Sequence, residues 1–271
     1  LMQAISSNDE FNTIIKEVKP AKRKLKAEKG KTPYQYIISS ERKKKSFLQK
    51  FNWYPMITPI NIIALIIAYL LGSVASAVWI GKIFYNLDIR EYGSGNSGAT
   101  NAFRVLGKKA GITVLLMDSS KGWLSVNIAQ LLYSFQLSAY LPGSPHYVDL
   151  QLALGVAALI GHIFPIYVGF RGGKGIATLL GMILAIHPIG AIASLGVFVM
   201  TLLISRYVSL SSIIASCSFP LVIILVYQET IPSLVMFSLS IAILVLITHQ
   251  KNIERLIRKE ESKANLFGKK S

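Results

Sequence analysis

Three observations predict an all-α, polytopic integral membrane protein with about seven transmembrane helices. First, long uncharged apolar runs recur from residue 57 onward, in a chain of 271 residues that is 52% hydrophobic and 15% charged. About 20 apolar residues suffice to cross the hydrocarbon core as a helix. Second, the loops between the runs sort by charge. Third, the densest polar stretches follow runs of one parity, which puts them on one face of the membrane.

Residues 1 to 55 read as a basic, polar arm, with KPAKRKLKAEKGK and ERKKK. The apolar runs then place span 1 at 57–83, span 2 at 110–136 and span 3 at 150–168. The stretch 176–205 is too long for one upright helix, at about 45 Å. It holds a Pro–Gly breaker, HPIG at 187–190, so it is read as spans 4 and 5. Span 6 is 211–227, QETIP makes a turn, and span 7 is 231–248. The segment HQKNIERLIRKEESK follows as a polar helix outside the core. The expected division is an arm at 1–55, a membrane domain at 56–262 and a polar tail at 263–271.

With alternating sides, the loops 138–149, 187–190 and 228–232 contain neither Lys nor Arg. The opposite loops carry Arg90, Arg104, Lys108, Lys109, Arg171, Lys174, Arg206 and the basic C-terminal segment. The positive-inside rule therefore puts 84–109, 162–175, 206–210 and the C-terminus in the cytoplasm. The same parity puts the basic N-terminal arm outside, against that rule.

The net charge is +16, and thirteen of the 29 Lys and Arg residues lie within residues 1–50. No basic stripe is interleaved with aromatics, which argues against nucleic acid as a partner. The acidic residues near the loops, Asp88 and Glu91, form no ligand cluster, so no metal is expected. No cofactor is expected either. The lone cysteine, Cys217, sits in an apolar run and reads as a structural residue.

Three polar blocks share the cytoplasmic face: GSGNSGATNAFR at 93–104, GHIFPIYVGFRGGKGIAT at 161–178 and HQKNIERLIRKEE at 249–261. Gly-rich backbone lets a ligand approach closely, and successive N–H groups make anion-binding nests. Arg and Lys add charge-assisted donors. Block one offers Gly93, Ser94, Gly95, Asn96, Gly98, Asn101 and Arg104. Block two offers Arg171, Gly172, Gly173, Lys174 and Gly175 before an apolar helix, whose N-terminus favours a phosphate. His162 opens that block and reads equally as a site residue or a satisfied structural histidine. Block three adds His249, Asn252, Arg255 and Glu261. GFRGGKG is not a P-loop, because position 168 is Val and Gly follows Lys174. Within span 2, MDSSKG puts Asp118 and Lys121 on one helical face. They read either as a structural ion pair or as a pair whose Lys121 also faces the anion site. On the residues alone, this is a phosphate-binding membrane protein, and a transporter of a phosphorylated anion remains an alternative to an enzyme. The transporter reading expects whole-helix repeats and a midplane site, and neither is legible.

The three blocks together resemble the three cytoplasmic motifs of the bacterial acyl-phosphate-dependent glycerol-3-phosphate acyltransferases, the PlsY type. The Asp-x-x-Lys-Gly of span 2 fits as well, and the resemblance covers about residues 57–262. It implies a seven-helix protein of the bacterial plasma membrane, with an external N-terminus, acting as a monomer in the lipid bilayer. The implied reaction moves a fatty acyl group from acyl phosphate to the 1-hydroxyl of glycerol 3-phosphate. It yields lysophosphatidic acid and inorganic phosphate for phospholipid synthesis. The resemblance assigns Ser94, Arg104, Lys174, His249 and Asn252 to catalysis. It implies that Gly172, Gly173 and Gly175 cradle the acyl phosphate; Gly93, Asn96, Asn101, Lys121, His162, Arg171, Arg255 and Glu261, read from the blocks and span 2 themselves, complete the substrate-binding candidates. It also implies that the acceptor's own phosphate serves as base. The HxxxxD pair of soluble acyltransferases is absent. Two features depart from the family pattern. Lys259 stands where a Gly usually precedes the motif-three glutamate, which bears on the role of Glu261, and the family lacks a basic arm of this length.

Overall fold

A computed structural model describes residues 58–137 and 140–264. The basic arm at 1–55 and the tail beyond 264 lie outside the described residues. Every regular element among the described residues is helical, and each of the apolar runs carries one. The helices are α1 (Pro59–Gly72), α2 (Ser76–Tyr85), α3 (Ala99–Val105), α4 (Lys108–Ser134), α5 (Pro145–Ile163), α6 (Ile176–Ile186), α7 (Pro188–Ser205), α8 (Val208–Leu221), α9 (Pro232–Thr248) and α10 (Gln250–Ile257). Short 3₁₀ turns stand at Ile89–Glu91 and Ile166–Val168.

The predicted span 1 is not one helix. It breaks after Gly72, and α1 and α2 meet at 42°. At the break Ser73 Oγ donates to Tyr69 O at 2.9 Å, and the Val74 carbonyl accepts from Lys121 Nζ, 47 positions away in the chain, at 2.7 Å. Span 3 starts earlier than its hydropathy suggested, because Ser144 caps α5 and Pro145 occupies its first turn. Its α-helical part ends at Ile163, before Pro165, and the 3₁₀ turn Ile166–Val168 carries the span to its expected end. Spans 4 and 5 separate at HPIG as expected. His187 Nδ1 there accepts from Gly190 N at 3.0 Å, and Pro188 opens α7. Span 6 carries Pro220 inside α8 and continues as a π-helical turn, Val222–Val226. A proline cannot donate its helical bond, and the wider turn absorbs the mismatch. The polar segment after α9 is a helix, α10, set at 61° to it.

Among the described residues, three helices can each cross a membrane alone by length and composition: α5 with its 3₁₀ extension, α7, and α8 with its π turn. The number is five when each bent pair, α1 with α2 and α9 with α10, counts as one span. α6 is apolar but only 11 residues long, about 16 Å as a helix. Large apolar side chains such as Ile204, Phe84 and Leu225 point outward, as lipid-facing residues do.

The interior is a continuous packing of α4, α5, α6, α8 and α9 around Val126, Leu159, Met182, Phe219, Ile241 and Val245. α4 and α6 touch backbone to backbone. A β-carbon on Gly122 would overlap the Thr178 carbonyl, and one on Gly181 the Ser119 carbonyl. Small residues at such contacts replace the missing hydrophobic drive between helices in lipid. A second cluster, Val78, Ile89, Ala102 and Val114, seats block one against α2 and α4.

Candidate active site

Block one is a loop wound around one side chain. Asn101, in the first turn of α3 and 1% exposed, donates to Ile89 O at 3.1 Å and Tyr92 O at 3.0 Å. It accepts from Ser94 N at 2.9 Å. Its amide is thus fully engaged in shaping the loop that presents Ser94. Gly93 has φ +62°, and a β-carbon there would overlap Asn101 Oδ1. Both residues, expected to bind substrate, shape this loop. Ser94 and Asn96 are half-buried, and Arg104 in the last turn of α3 is exposed.

Block two folds back on the end of α5. Gly172 N donates to Ile163 O at 3.1 Å and Gly173 N to His162 O at 3.2 Å. These bonds satisfy carbonyls that a helix end leaves orphaned. They also mean that the amides of Gly172 and Gly173 point at the protein. Gly175, with φ +81°, turns the chain into α6, whose N-terminus has no side-chain cap. Lys174 therefore stands between a folded-back loop and an uncapped helix N-terminus. Arg171 is exposed beside it.

Lys174 also joins block two to block three. Its Nζ donates to Asn252 Oδ1, and Asn252 Nδ2 donates to Glu261 Oε1 at 2.7 Å. Ser209 Oγ donates to the same carboxylate oxygen at 2.8 Å, and Arg255 Nε lies 3.5 Å from Glu261 Oε2. Burial pushes the Lys174 ammonium down to about 8, with Arg255 adding to the shift and Glu261 opposing it. His249, between α9 and α10, is 3% exposed, with Nδ1 2.8 Å from Val245 O. A donating Nδ1 leaves Nε2 as the acceptor nitrogen of the neutral ring. Ser209 lay in a short loop-like stretch, SRYVSLS, with no motif to mark it, and sequence reasoning passed over it.

Glu261 is brought there by the turn that ends α10. Lys259 takes the left-handed conformation, φ +60°, and Glu260 N and Glu261 N both donate to Arg255 O. The position read as a departure from the family pattern is thus one that favours glycine. The chain still makes the turn with lysine, and the carboxylate still reaches Asn252.

Lys121 and His162 stand apart from this group. Lys121 is 6% exposed and bonds Asp118 Oδ1 at 2.9 Å as well as the Val74 carbonyl. Ser76 Oγ donates to the same Asp118 oxygen at 2.9 Å. His162 Nδ1 lies 3.2 Å from Thr178 Oγ1 and 3.7 Å from Asp118 Oδ1. On its other side the ring packs on Gly173, where a β-carbon would overlap Nε2. These residues form a buried polar cluster beneath the loops.

The model of the glycerol-3-phosphate acyltransferase family matches residues 62–259. The chain belongs to the glycerol-3-phosphate acyltransferase family. Among its relatives of that description, the Enterococcus faecalis protein is 47% identical over 173 residues, 64% of this chain and 74% of that one. The Listeria monocytogenes protein is 52% identical over 159 residues, 58% of this chain and 75% of that one. A crystal structure of PlsY (YgiH), an integral membrane glycerol 3-phosphate acyltransferase, in its glycerol 3-phosphate form superposes with TM-score 0.66 at 35% identity. It covers 76% of this chain and 96% of that one. The lysophosphatidic acid form gives TM-score 0.63 at 35% identity over 75% and 94% of the two chains. The all-helical integral membrane architecture and the family expected from the motifs both hold.

Proposed function

We propose that this chain, a glycerol-3-phosphate acyltransferase of the membrane, takes its acyl group from acyl phosphate and delivers it to the 1-hydroxyl of glycerol 3-phosphate. The products are lysophosphatidic acid, for phospholipid synthesis, and inorganic phosphate. The observation that carries the reading is the junction of Lys174, from block two, with Asn252 and Glu261, from block three. It stands beside an uncapped helix N-terminus, where an anion is favoured by both charge and dipole. The structures of the similar PlsY carry glycerol 3-phosphate and lysophosphatidic acid in their names, an acceptor and a product of this reaction.

In this reading the acceptor hydroxyl oxygen attacks the acyl carbonyl carbon. The new ester C–O bond forms, the bond from carbon to the phosphate oxygen breaks, and phosphate leaves with the electron pair. The hydroxyl proton goes to the acceptor's own phosphate. No protein nucleophile is required, because the donor is already activated. Alignment of the two substrates and stabilisation of the developing oxyanion and the leaving phosphate supply the rate. Lys174 and Arg104 supply charge, and Ser94, His249 and Asn252 hold the polar atoms. Arg171, Arg255, Asn96 and Gly175 line the substrates. Gly93, Asn101, Gly172, Gly173 and Glu261 shape the loops that present these groups. We further propose that the chain is a monomer that crosses the bacterial plasma membrane seven times; the charges of its loops support a cytoplasmic side for the three blocks and the C-terminus.

The test is phosphate release by the purified full chain given palmitoyl phosphate and glycerol 3-phosphate, with palmitoyl-CoA in a parallel reaction. Release that needs both substrates, with no turnover of the CoA ester, is the expected result. Turnover with the CoA ester alone would overturn the donor assignment.

A further inference from the structure

Asp88 and Arg90 flank the start of block one and were read from the sequence only as a loop charge and a non-ligand acid. The structure gives them a shared geometry. Asp88 caps the 3₁₀ turn Ile89–Glu91, accepting from Arg90 N at 3.1 Å. The Arg90 guanidinium lies on the same carboxylate as a two-pronged fork, Nε to Oδ1 at 2.9 Å and Nη2 to Oδ2 at 2.7 Å. This pairing holds Asp88 well below, and Arg90 above, their ordinary pKa values, chiefly through those side-chain bonds. Lys82 adds a longer contact to Asp88 Oδ2 at 3.5 Å. The remaining guanidinium nitrogen reaches across to block two. Nη1 donates to Val168 O at 2.8 Å and lies 3.5 Å from Arg171 O.

The two ends of this bridge are themselves held. On one side, Asn101 grips the carbonyls of Ile89 and Tyr92 that flank Arg90, four residues before Ser94. On the other, Val168, six residues before Lys174, is held by a turn in which Val168 N and Phe170 N both donate to Pro165 O. Both side chains of the pair are only 16% exposed. A solvated surface pair or a headgroup anchor would aim the guanidinium outward. This one is aimed at a backbone carbonyl of the facing loop.

We propose that Arg90 is a positioning residue for acyl transfer, one that sets the spacing between the loop presenting Ser94 and the loop presenting Lys174. The inference rests on the reading of blocks one and two as the substrate-binding loops. It follows from what the reaction needs. Two substrates, each with its own phosphate, must meet at a bonding approach, and a misplacement of about 1 Å costs about a hundredfold in rate. Each loop keeps its own binding groups when the bridge is cut, so affinity for each substrate survives while their alignment does not. A lysine at position 90 retains the charge, yet its point-like ammonium cannot span the Asp88 carboxylate and the Val168 carbonyl together.

The experiment uses the full chain, purified in detergent, with each substrate varied in turn. Arg90→Ala and Arg90→Lys are expected to lower kcat by about 10- to 100-fold, with both KM values within about threefold of wild type. Methylguanidinium, at concentrations that leave wild type folded, should restore part of the activity of Arg90→Ala, and methylammonium should not. Wild-type kcat in either variant would overturn the proposal. So would a rise in KM for one substrate at unchanged kcat, which would make Arg90 a ligand. A loss that tracks the folded fraction without rescue would also overturn it, and if Arg90→Ala does not fold, Arg90→Lys decides by the same kcat and KM criteria. Absence of wild-type turnover in this assay would instead sink the functional reading, and this inference with it.

Discussion

Two polar clusters in this protein are built from nearly the same side chains and are put to different uses. Lys174, Asn252, Glu261 and Ser209 meet where the loop before α6 reaches the first turns of α8 and α10, with Lys174 and Asn252 half-buried. Lys121, Asp118, Ser76, His162 and Thr178 meet between helices, each 6% exposed or less. In the first, the ammonium lies beside an uncapped helix N-terminus, where a phosphate is favoured. In the second, the ammonium is already committed to a carboxylate and to the carbonyl freed by a helix break. A buried charge needs partners of its own to exist in the membrane interior, and a charge with its partners in place is a strut. The seam between the clusters is Gly173, whose backbone rests on the His162 ring. The lower cluster can thereby fix the height of the loop that carries the upper one.

The strongest challenge to this contrast is to remove one half of the buried pair. Lys121→Met leaves Asp118 unpaired and should destabilise the protein by about 3–5 kcal/mol, read as a lower melting temperature in detergent. Pairing it with Asp118→Leu should recover much of that loss. The KM for glycerol 3-phosphate of the folded protein should stay near wild type. A large rise in KM with an intact melting temperature would instead make Lys121 a substrate ligand.

Lys174→Ala should do the converse, reducing kcat/KM by about a hundredfold with little change in melting temperature. Near-normal turnover of this variant and of Arg104→Ala would remove the phosphate site from this face. The pH dependence sharpens the same point. Lys174 is protonated below about 8 and loses its charge above it, so affinity for the anionic acceptor should fall as pH rises through that value. A solvated lysine would hold its charge to about 10. Glu261 opposes the depression, so Glu261→Gln should move the break to lower pH; a break that stays fixed would mean that another group sets it. The smallest effect concerns the turn that delivers Glu261. Lys259→Gly relieves a left-handed lysine and should raise stability by up to about 1 kcal/mol, with kcat unchanged, as thermal melts and initial rates would report.

Much of the fold was legible because hydropathy and helix breakers act locally. The runs, the HPIG break and the polar helix after span 7 needed only their own residues. The break at Ser73–Ala75 was not legible, since its sequence is apolar and small. It exists because Lys121, 47 positions away, offers a donor to Val74. The short α6 was likewise legible as an element but not in its contact with α4.

The sequence by itself determined that this is a helical membrane protein of the glycerol-3-phosphate acyltransferase family, and which three blocks carry polar chemistry. Those properties depend on composition and on motifs contiguous in the chain. Only the tertiary structure decided what each polar side chain does within its block. It assigned Asn101 to shaping a loop and turned the Gly172 and Gly173 amides inward. It placed Lys121 and His162 under the site and brought Ser209 and Arg90 into contact with the blocks. The reason is that a hydrogen-bonding group is defined by the partner it meets, and many of these partners are distant in the chain, as Arg90 and Arg171 are at 81 positions.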